Sequence, residues 1–190
     1  MRKLIWLMHM SLDGLVSGPN GELDWAGSGM DDELWADVMD LISTVDSVLF
    51  GRVTYQDFEN YWPGVASTPS SGKNELDFSR WIDKTSKTVA SKTLRGLNWK
   101  NSALLHDDVA EGISKIKGQP GNNLLMFGSP GLASHLVNAR LIDELRIDVH
   151  PIVLGGGLPL FNQVTERHKL GLVKSRAFRS GIVGLQYTMA

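Results

Sequence analysis

Short apolar runs alternate with helical patterns along most of the chain. Strands are predicted at five short apolar runs, namely 3–10, 47–50, 87–90, 103–106 and 124–127. The first and the last of these runs are nearly continuous, which is typical of buried strands. Between these runs, apolar residues recur three or four positions apart, as at Leu34, Val38 and Leu41, and predict amphipathic helices. Helices are predicted from 31, from 52, over 74–83 and 107–117, and from 130.

The C-terminal third changes from alternating strands and helices to strands alone. Residues 144–154 begin with apolar and polar residues in alternation, which predicts an edge or half-exposed strand. Segments 169–178 and 182–189 flank a short turn and predict an antiparallel hairpin. We therefore predict one α/β domain over 1–190. It has three layers, with a mainly parallel mixed sheet, an antiparallel C-terminal hairpin and helices on both faces.

The segment 62–72 is rich in Pro, Gly and Ser. It could link two domains, but the residues before it contain only two good strands and no complete sheet. We therefore interpret it as an exposed insertion within one domain.

Composition narrows the classes of function. The formal net charge of -2 argues against a nucleic-acid partner, which needs a basic face, and the chain has no cysteine for disulfides or thiol chemistry. No apolar run approaches the roughly 20 residues that span a membrane. The apolar N-terminus lacks a cleavage site and is interpreted as a strand. We expect a cytoplasmic protein with a small-molecule substrate.

Three strand ends carry groups that suit a phosphate. Gly128, Ser129, Pro130 and Gly131 join a strand to a helix, where Ser129 could cap the helix and free backbone N–H groups could bind an anion. A plain turn explains this segment equally well on its own.

Gly51, Arg52 and Thr54 follow the second strand, and Ser91 and Lys92 follow the third. Arg52 could bind a phosphate or simply be solvated. Ligands gather at the carboxyl ends of strands in open α/β sheets, so three such ends favour a nucleotide with several phosphates. Lys92 could suit the 2′-phosphate that separates NADP from NAD.

Other chemistries lack their motifs. The sequence has neither a P-loop nor a G-x-G-x-x-G fingerprint, and no G-x-S-x-G nucleophile elbow. The five histidines show no metal-ligand spacing, so we expect no metal site and interpret each histidine as structural or exposed.

Several segments resemble the reductase domain of bacterial riboflavin biosynthesis and its dihydrofolate-reductase-like relatives. They are SLDG at 11–14 with Trp25, LFGRVTY at 49–55, VASKTL at 89–94, FGSPGL at 127–132, LIDEL at 141–145, and PIVLGGG at 151–157 with PLF at 159–161. These segments cover nearly the whole chain in the order of the family.

The resemblance implies a dihydrofolate-reductase-like fold that binds NADPH across the strand ends. By position, Met10 and Trp25 would flank the nicotinamide. Arg52, Thr54, Ser91 and Lys92 would face the phosphates or the adenosine end. Gly128, Ser129, Pro130, Gly131 and Leu132 would cradle the pyrophosphate, and further cofactor-binding residues would be Gly51, Gly155 and Gly156.

The implied activity is hydride transfer from NADPH to a small pterin, pyrimidine or carbonyl compound, with Asp13 or Asp32 as the proton donor. The riboflavin reductases have a substrate-binding glutamate where this chain has Phe127, which argues against their substrate. The alternative is an NADP-binding sensor or scaffold without turnover. A homodimer is expected, both from the exposed hairpin edge and from the family.

Overall fold

A central β-sheet organises the computed structural model, which describes residues 1–27 and 29–189. The strands are β1 (Leu4–Ser11), β2 (Leu15–Ser17), β3 (Val45–Gly51), β4 (Ser86–Ala90), β5 (Ser102–Leu105), β6 (Asn123–Phe127), β7 (Glu144–His150), β8 (Leu158–Pro159), β9 (Leu170–Ala177) and β10 (Val183–Met189). The helices are α1 (Asp24–Gly27), α2 (Asp32–Ile42), α3 (Arg52–Val65), α4 (Lys73–Lys84), α5 (Val109–Gly118) and α6 (Pro130–Asn138).

The main sheet has eight strands in the order β5-β4-β3-β6-β1-β7-β10-β9. The first six strands in this order, from β5 across to β7, pair in parallel. The strand β10 pairs antiparallel with both β7 and β9. The predicted fold class is therefore confirmed, including the antiparallel C-terminal hairpin. The strands β2 and β8 form a separate two-stranded ladder that the sequence pattern did not predict.

Helices cover both faces of the sheet because the central strands are apolar on both sides. In β1, Leu4 and Trp6 belong to one core cluster, which includes residues of α5 and α6, while Ile5 and Leu7 belong to a second, which includes residues of α2, α3 and α4. Side chains alternate along a strand, so one continuous apolar run supplies both cores. In the described part of the chain, no helix combines the length and apolar character needed to cross a membrane.

The strand β7 is internal, and the prediction of an edge or half-exposed strand was wrong. It pairs with β1 on one side and β10 on the other. Its alternating polar residues misled the prediction, because Asp148 and His150 are buried rather than facing solvent. A buried polar side chain in an internal strand needs a polar partner. For Asp148 and His150 of β7, that partner is His9 of β1.

The loop-like segment at 62–72 is partly helical. The helix α3 continues to Val65 and includes Pro63, so the connection to α4 spans only residues 66–72. Pro63 has no N–H to donate to the carbonyl four residues earlier, and the helix ends two residues beyond it. The side chain of Trp62 packs against Phe78 of α4, with ring centroids 4.4 Å apart.

Candidate functional site

A cleft of about 630 Å³ opens at the carboxyl ends of β3, β1 and β6. Two strand-to-helix turns line one side of it, namely β3–α3 at 51–54 and β6–α6 at 128–132. We call this part the phosphate side. The rest of the lining is largely apolar and comes from β1, α2, α3 and α4, together with β2, Gly21, Leu23, Ala26, Met30 and Leu158. The parallel order of the strands brings these distant segments together at one sheet edge.

The two turns of the phosphate side are bonded to each other through Ser129. Its hydroxyl donates to Thr54 Oγ1 at 2.9 Å and accepts a hydrogen bond from Gly51 N at 2.9 Å. The backbone N–H of Ser129 also donates to Thr54 Oγ1, at 3.1 Å. These bonds hold Ser129 in the left-handed region at φ 54, directly after Gly128 at φ 53. A strained non-glycine residue persists only where its surroundings fix it.

The side chain of Ser129 does not cap α6, so that prediction was wrong. Its hydroxyl is engaged by Gly51 and Thr54 instead. The first turn of α6 therefore begins without a side-chain cap, at the positive end of the helix dipole and beside the cleft. The amides of Gly131 and Leu132 lie in this turn and are available to an anion.

Two charged side chains of α3 reach the cleft. Arg52 is exposed, and its guanidinium donates to Gln56 Oε1 at 3.2 Å. Asp57 lies further along the same helix, and burial raises the pKa of its carboxyl. The phosphate side thus combines a cation with helix N-termini, and the Asp57 carboxyl lies further along α3.

Aromatic rings form much of the apolar lining, and we call this part of the cleft the aromatic side. It is lined by Trp35, Phe58, Trp62, Phe78 and Phe127. The rings of Phe58 and Phe127 lie 5.3 Å apart, and those of Trp35 and Phe78 lie 6.0 Å apart. A surface of this kind binds a flat, weakly polar group by stacking and by exclusion of water.

The structure brings eight of the predicted cofactor residues together on the phosphate side of the cleft. They are Gly51, Arg52, Thr54, Gly128, Ser129, Pro130, Gly131 and Leu132. Their placement at one site agrees with a shared role in binding a phosphate-bearing ligand, which stays a prediction.

Ser91 and Lys92 lie outside this lining. The hydroxyl of Ser91 accepts hydrogen bonds from the amides of Thr93 and Leu94 at 3.2 and 3.1 Å, which shapes the turn after β4. Lys92 is exposed beside that turn. The hydrogen bond from the Glu111 amide is the main cause that lowers the pKa of Asp108, and the charge of Lys92 adds a smaller contribution. Neither side chain contacts the phosphate side directly.

Met10 and Trp25 also lie outside the cleft lining. Met10 packs against the core on the α5 and α6 face. Trp25 is buried, and its ring meets His150 edge-to-face at 5.1 Å. Trp25 therefore supports residues behind the cleft floor.

Asp13 is bonded within a loop and does not line the cleft. Its carboxylate accepts hydrogen bonds from Ser11 Oγ at 2.7 Å, Leu154 N at 3.1 Å and Gly155 N at 2.8 Å. These bonds lower the pKa of Asp13 to about 2, with the Ser11 bond the largest cause. The loop with Gly155, at φ 74, and the exposed Gly156 is thereby tied to the end of β1.

Asp32 lies in the exposed first turn of α2, outside the cleft lining, and accepts a hydrogen bond from Asn74 Nδ2 at 3.2 Å. The neighbouring Asp31 caps α2 by accepting from Leu34 N at 2.8 Å. The geometry of Asp13 and Asp32 thus disfavours both as donors to a ligand in the cleft.

Sequence reasoning missed two ionisable residues of the cleft lining, His9 and Asp57. His9 lies on the floor of the cleft, where its Nδ1 is 3.0 Å from His150 Nε2 and 3.7 Å from Asp148 Oδ2. The β1–β7 register places His9 opposite Asp148 and Ser11 opposite His150. No spacing signal could reveal this group, because its members are about 140 positions apart.

Burial, followed by the neighbouring His150, lowers the pKa of His9 to about 4. Burial and the Asp37 carboxylate raise the pKa of Asp148 to about 7, against the opposing effect of Arg146. Burial also lowers the pKa of His150.

Among residues 1–27 and 29–189, no group of three or more His, Asp or Glu side chains is arranged to hold a metal ion.

Solved structures that share this fold include a Shewanella protein and a dihydrofolate reductase. The putative riboflavin biosynthesis protein of Shewanella sp. PV-4 matches with a TM-score of 0.75 and 22% identity, over 99% of each chain. The dihydrofolate reductase of Enterococcus faecalis, complexed with NADP(H) and RAB-propyl, matches with a TM-score of 0.58 and 14% identity, over 98% of this chain and 96% of that one. The fold is therefore dihydrofolate-reductase-like.

Sequence comparison shows the family. The uncharacterized protein YyaP of Bacillus subtilis (strain 168) is 31% identical over 186 residues, which cover 98% of this chain and 94% of YyaP. A sequence model described as the RibD C-terminal domain matches residues 2–184. This match spans nearly the whole chain and includes both turns of the cleft, so the chain belongs to the RibD C-terminal domain family.

Proposed function

We propose that this protein is an NADPH-dependent reductase that transfers a hydride to a small pterin-, pyrimidine- or carbonyl-type compound. The observation that carries this proposal is the continuity of one cleft from an uncapped helix N-terminus to an aromatic wall. A dinucleotide needs both surfaces, since its pyrophosphate is anionic and its nicotinamide is flat. The reductase-like fold of the family supports the same activity.

The residues of the phosphate side fit NADPH. The amides at the start of α6 would bind the pyrophosphate, and the Ser129–Thr54–Gly51 bonds would keep the turn in place. Arg52 would pair with a phosphate, with a planar guanidinium suited to bidentate contact. Among the predicted cations, Arg52 lines the cleft while Lys92 lies outside its lining, so we assign the 2′-phosphate to Arg52 first.

The aromatic side supports a substrate without a phosphate of its own. Arg52 is the only lysine or arginine among the cleft-lining residues of the described chain, and it lies on the phosphate side. A phosphorylated substrate would bring a second anion to a wall of aromatic rings, where no cation offsets the cost of desolvation. Phe127, where riboflavin reductases have an acid, belongs to that wall.

NADPH supplies the hydride when it is bound. The protein orients the reacting partners, because the aromatic wall and the floor of β1 confine a flat ring. The apolar surface around the ring excludes water, and polar contacts in the site are stronger without it. Reduction of a C=N or C=O group also consumes one proton, which an ionisable group at the cleft must deliver.

Thermal shift with NADPH and NADH tests cofactor binding, because a ligand that binds only the native state raises the Tm. We expect a larger rise with NADPH. A panel of pterins, pyrimidines and ketones then tests turnover through the loss of NADPH absorbance. Binding without turnover of any compound would favour the sensor or scaffold alternative. No shift with either nucleotide would contradict the proposal.

We also propose a homodimer that forms through the C-terminal hairpin. The edge strand β9 exposes Leu172 and Val173, at 59% and 55% of their surface. An exposed apolar edge strand is prone to pair with another chain. Light scattering during size exclusion should give twice the chain mass, and Val173→Lys should reduce it to one.

A further inference from the structure

The buried polar group beneath the cleft consists of His9, His150 and Asp148. His9 exposes 29% of its side chain, into the cleft, whereas Asp148 exposes only 9%. The Nδ1 atom of His9 faces both partners, at 3.0 Å from His150 and 3.7 Å from Asp148. No described residue forms a hydrogen bond with His9 Nε2, so this atom is available to a ligand in the cleft.

Asp148 connects this group to the other side of α2. It borders a small cavity of about 30 Å³ that is also lined by Asp37, Arg146, Lys174 and Arg176. This volume and the polar lining suit a bound water molecule. The side chains of Lys174 and Arg176 are 56% and 40% exposed, so the cavity lies close to solvent. Protons from solvent therefore have a short path to Asp148.

Charged and titratable side chains from three strands and one helix surround Asp148. From β1 it faces His9, from β7 Arg146 and His150, from α2 Asp37, and from β9 Lys174 and Arg176. Asp37 lies 3.8 Å from Arg146 and 3.5 Å from Lys174, so its own charge is partly balanced by cations. The strand β10 contributes only uncharged residues to the cavity.

We propose that His9 is the proton donor of the cleft and that Asp148 resupplies it from solvent, while His150 positions its imidazole. The proposal rests on the proposed reductase function. In this step the substrate carbon gains the hydride of NADPH, and its nitrogen or oxygen takes the proton from Nε2 of the neutral His9 imidazole. As that proton leaves, His9 Nδ1 takes the proton of the Asp148 carboxyl, so the imidazole changes tautomer and stays neutral, and water in the small cavity reprotonates Asp148.

His9 fits this function better than the other acids do. Asp13 accepts three hydrogen bonds, and Asp32 is exposed outside the cleft. Asp57 lines the cleft and is the rival, but it is exposed, whereas His9 has Asp148 and His150 behind it. His9 lies on the central strand β1, two positions beyond Leu7, which pairs with Phe127 of the aromatic wall. It thus reaches a substrate held against that wall.

Kinetics of matched histidine variants test the proposal with the panel compound that the wild type reduces. His9→Gln should lower kcat about 100-fold, as expected for loss of a general acid, and leave the Kd of NADPH within twofold. His135→Gln, at an exposed position of α6, is the control. A His9→Gln kcat within twofold of the control would overturn the proposal while the reductase function stood.

Asp148 is a positioning residue, so its test needs a pH profile. The wild-type kcat should fall as the pH rises through neutrality, because the relay loses its proton. Asp148→Asn should lower kcat and remove its fall with rising pH. Asp148→Glu should restore part of kcat and part of this pH dependence. An unchanged pH dependence in Asp148→Asn would contradict the relay.

A titration of the free protein decides the proposal independently of turnover. Carboxyl ¹³C NMR should show Asp148 titrating near neutral pH, and this titration should shift in His9→Gln. A titration of Asp148 near pH 4 that is unaffected by His9→Gln would overturn the relay. If NADPH does not bind, the proposed function fails, while this titration still decides whether the group can hold a proton at neutral pH.

Discussion

The hydroxyl of Ser129 lies 2.9 Å from Thr54 Oγ1 and joins two turns that are 75 positions apart in the chain. The same hydroxyl accepts a hydrogen bond from Gly51 N, so both turns of the phosphate side are bonded to the Ser129 side chain. Ser129 stays in a left-handed conformation because these bonds hold it. The start of α6 is thereby directed at the cleft with its amides uncapped.

Thr54→Val should weaken NADPH binding about tenfold and lower the free energy of unfolding by about 1 kcal/mol. The isosteric change removes the oxygen that accepts from both the amide and the hydroxyl of Ser129. Nucleotide titration and urea denaturation measure the two effects. Thr165→Val, at an exposed threonine with a 3.4 Å contact, is the control and should change neither.

Arg52→Gln should reduce the preference for NADPH over NADH by about tenfold, since one charge-assisted pair contributes on the order of 1.5–3 kcal/mol. Lys92→Gln, at an exposed position outside the cleft lining, should leave this preference unchanged. The ratio of the two Kd values is the measurement. If Lys92→Gln reduced the ratio instead, the 2′-phosphate would belong to Lys92.

Phe127→Glu should destabilise the protein by about 3 kcal/mol or more rather than restore the acid found in riboflavin reductases. Phe127 is 8% exposed, and its ring lies 6.1 Å from Phe50 and 5.8 Å from Phe78. A carboxylate there would lose hydration among aromatic rings. Phe127→Leu, the size-matched control, should cost about 1 kcal/mol. Equal urea midpoints for the two variants would refute this.

Asp13→Asn should preserve turnover and weaken the fold. The hydrogen bonds from Ser11, Leu154 and Gly155 lower the pKa of Asp13 to about 2, so the folded state favours the carboxylate. The resulting stability is present above pH 3.8 and is lost as the pH falls through about 2. Thermal melts between pH 2 and 5 should show less acid sensitivity in Asp13→Asn. A loss of kcat without a change in Tm would restore Asp13 as a candidate acid.

Variants of His9 and Asp148 should change the pH dependence of stability in opposite directions. The raised pKa of Asp148, about 7, makes stability fall as the pH rises from about 4 to 7. The lowered pKa of His9, about 4, makes stability rise from pH 4 to 6.5. The two effects offset each other in the wild type.

Asp148→Asn leaves the rises from His9 and His150, whereas His9→Gln leaves the fall from Asp148, partly offset by the rise from His150. The slope of stability against pH should therefore be more negative in His9→Gln than in Asp148→Asn, by on the order of 1 kcal/mol per pH unit. Urea denaturation at pH 4.5, 5.5 and 6.5 measures the slopes, and equal slopes in the two variants would show that the shifts of His9 and Asp148 are not present in the folded protein.

Sequence patterns predicted the strands of the main sheet and the sheet class because burial on both faces leaves continuous apolar runs, as at 124–127. They failed at β7, where Asp148 and His150 imitate a solvent-facing strand. The predicted loop began at 62 because Pro63 and Gly64 are typical loop residues. The helix α3 continues to Val65, and the packing of Trp62 on Phe78 favours this additional turn. Local propensity does not register such a distant contact.

The sequence by itself determined the fold class, the family resemblance and the phosphate-compatible turns, because each depends on residues that are close together in the chain. Tertiary structure decided which of those turns share a cleft: 51–54 and 128–132 meet there, while Ser91 and Lys92 do not line it. It also decided that Asp13 holds a loop and that His9 meets Asp148 below the cleft. These outcomes depend on strand register and helix packing, which bring together side chains about 140 residues apart.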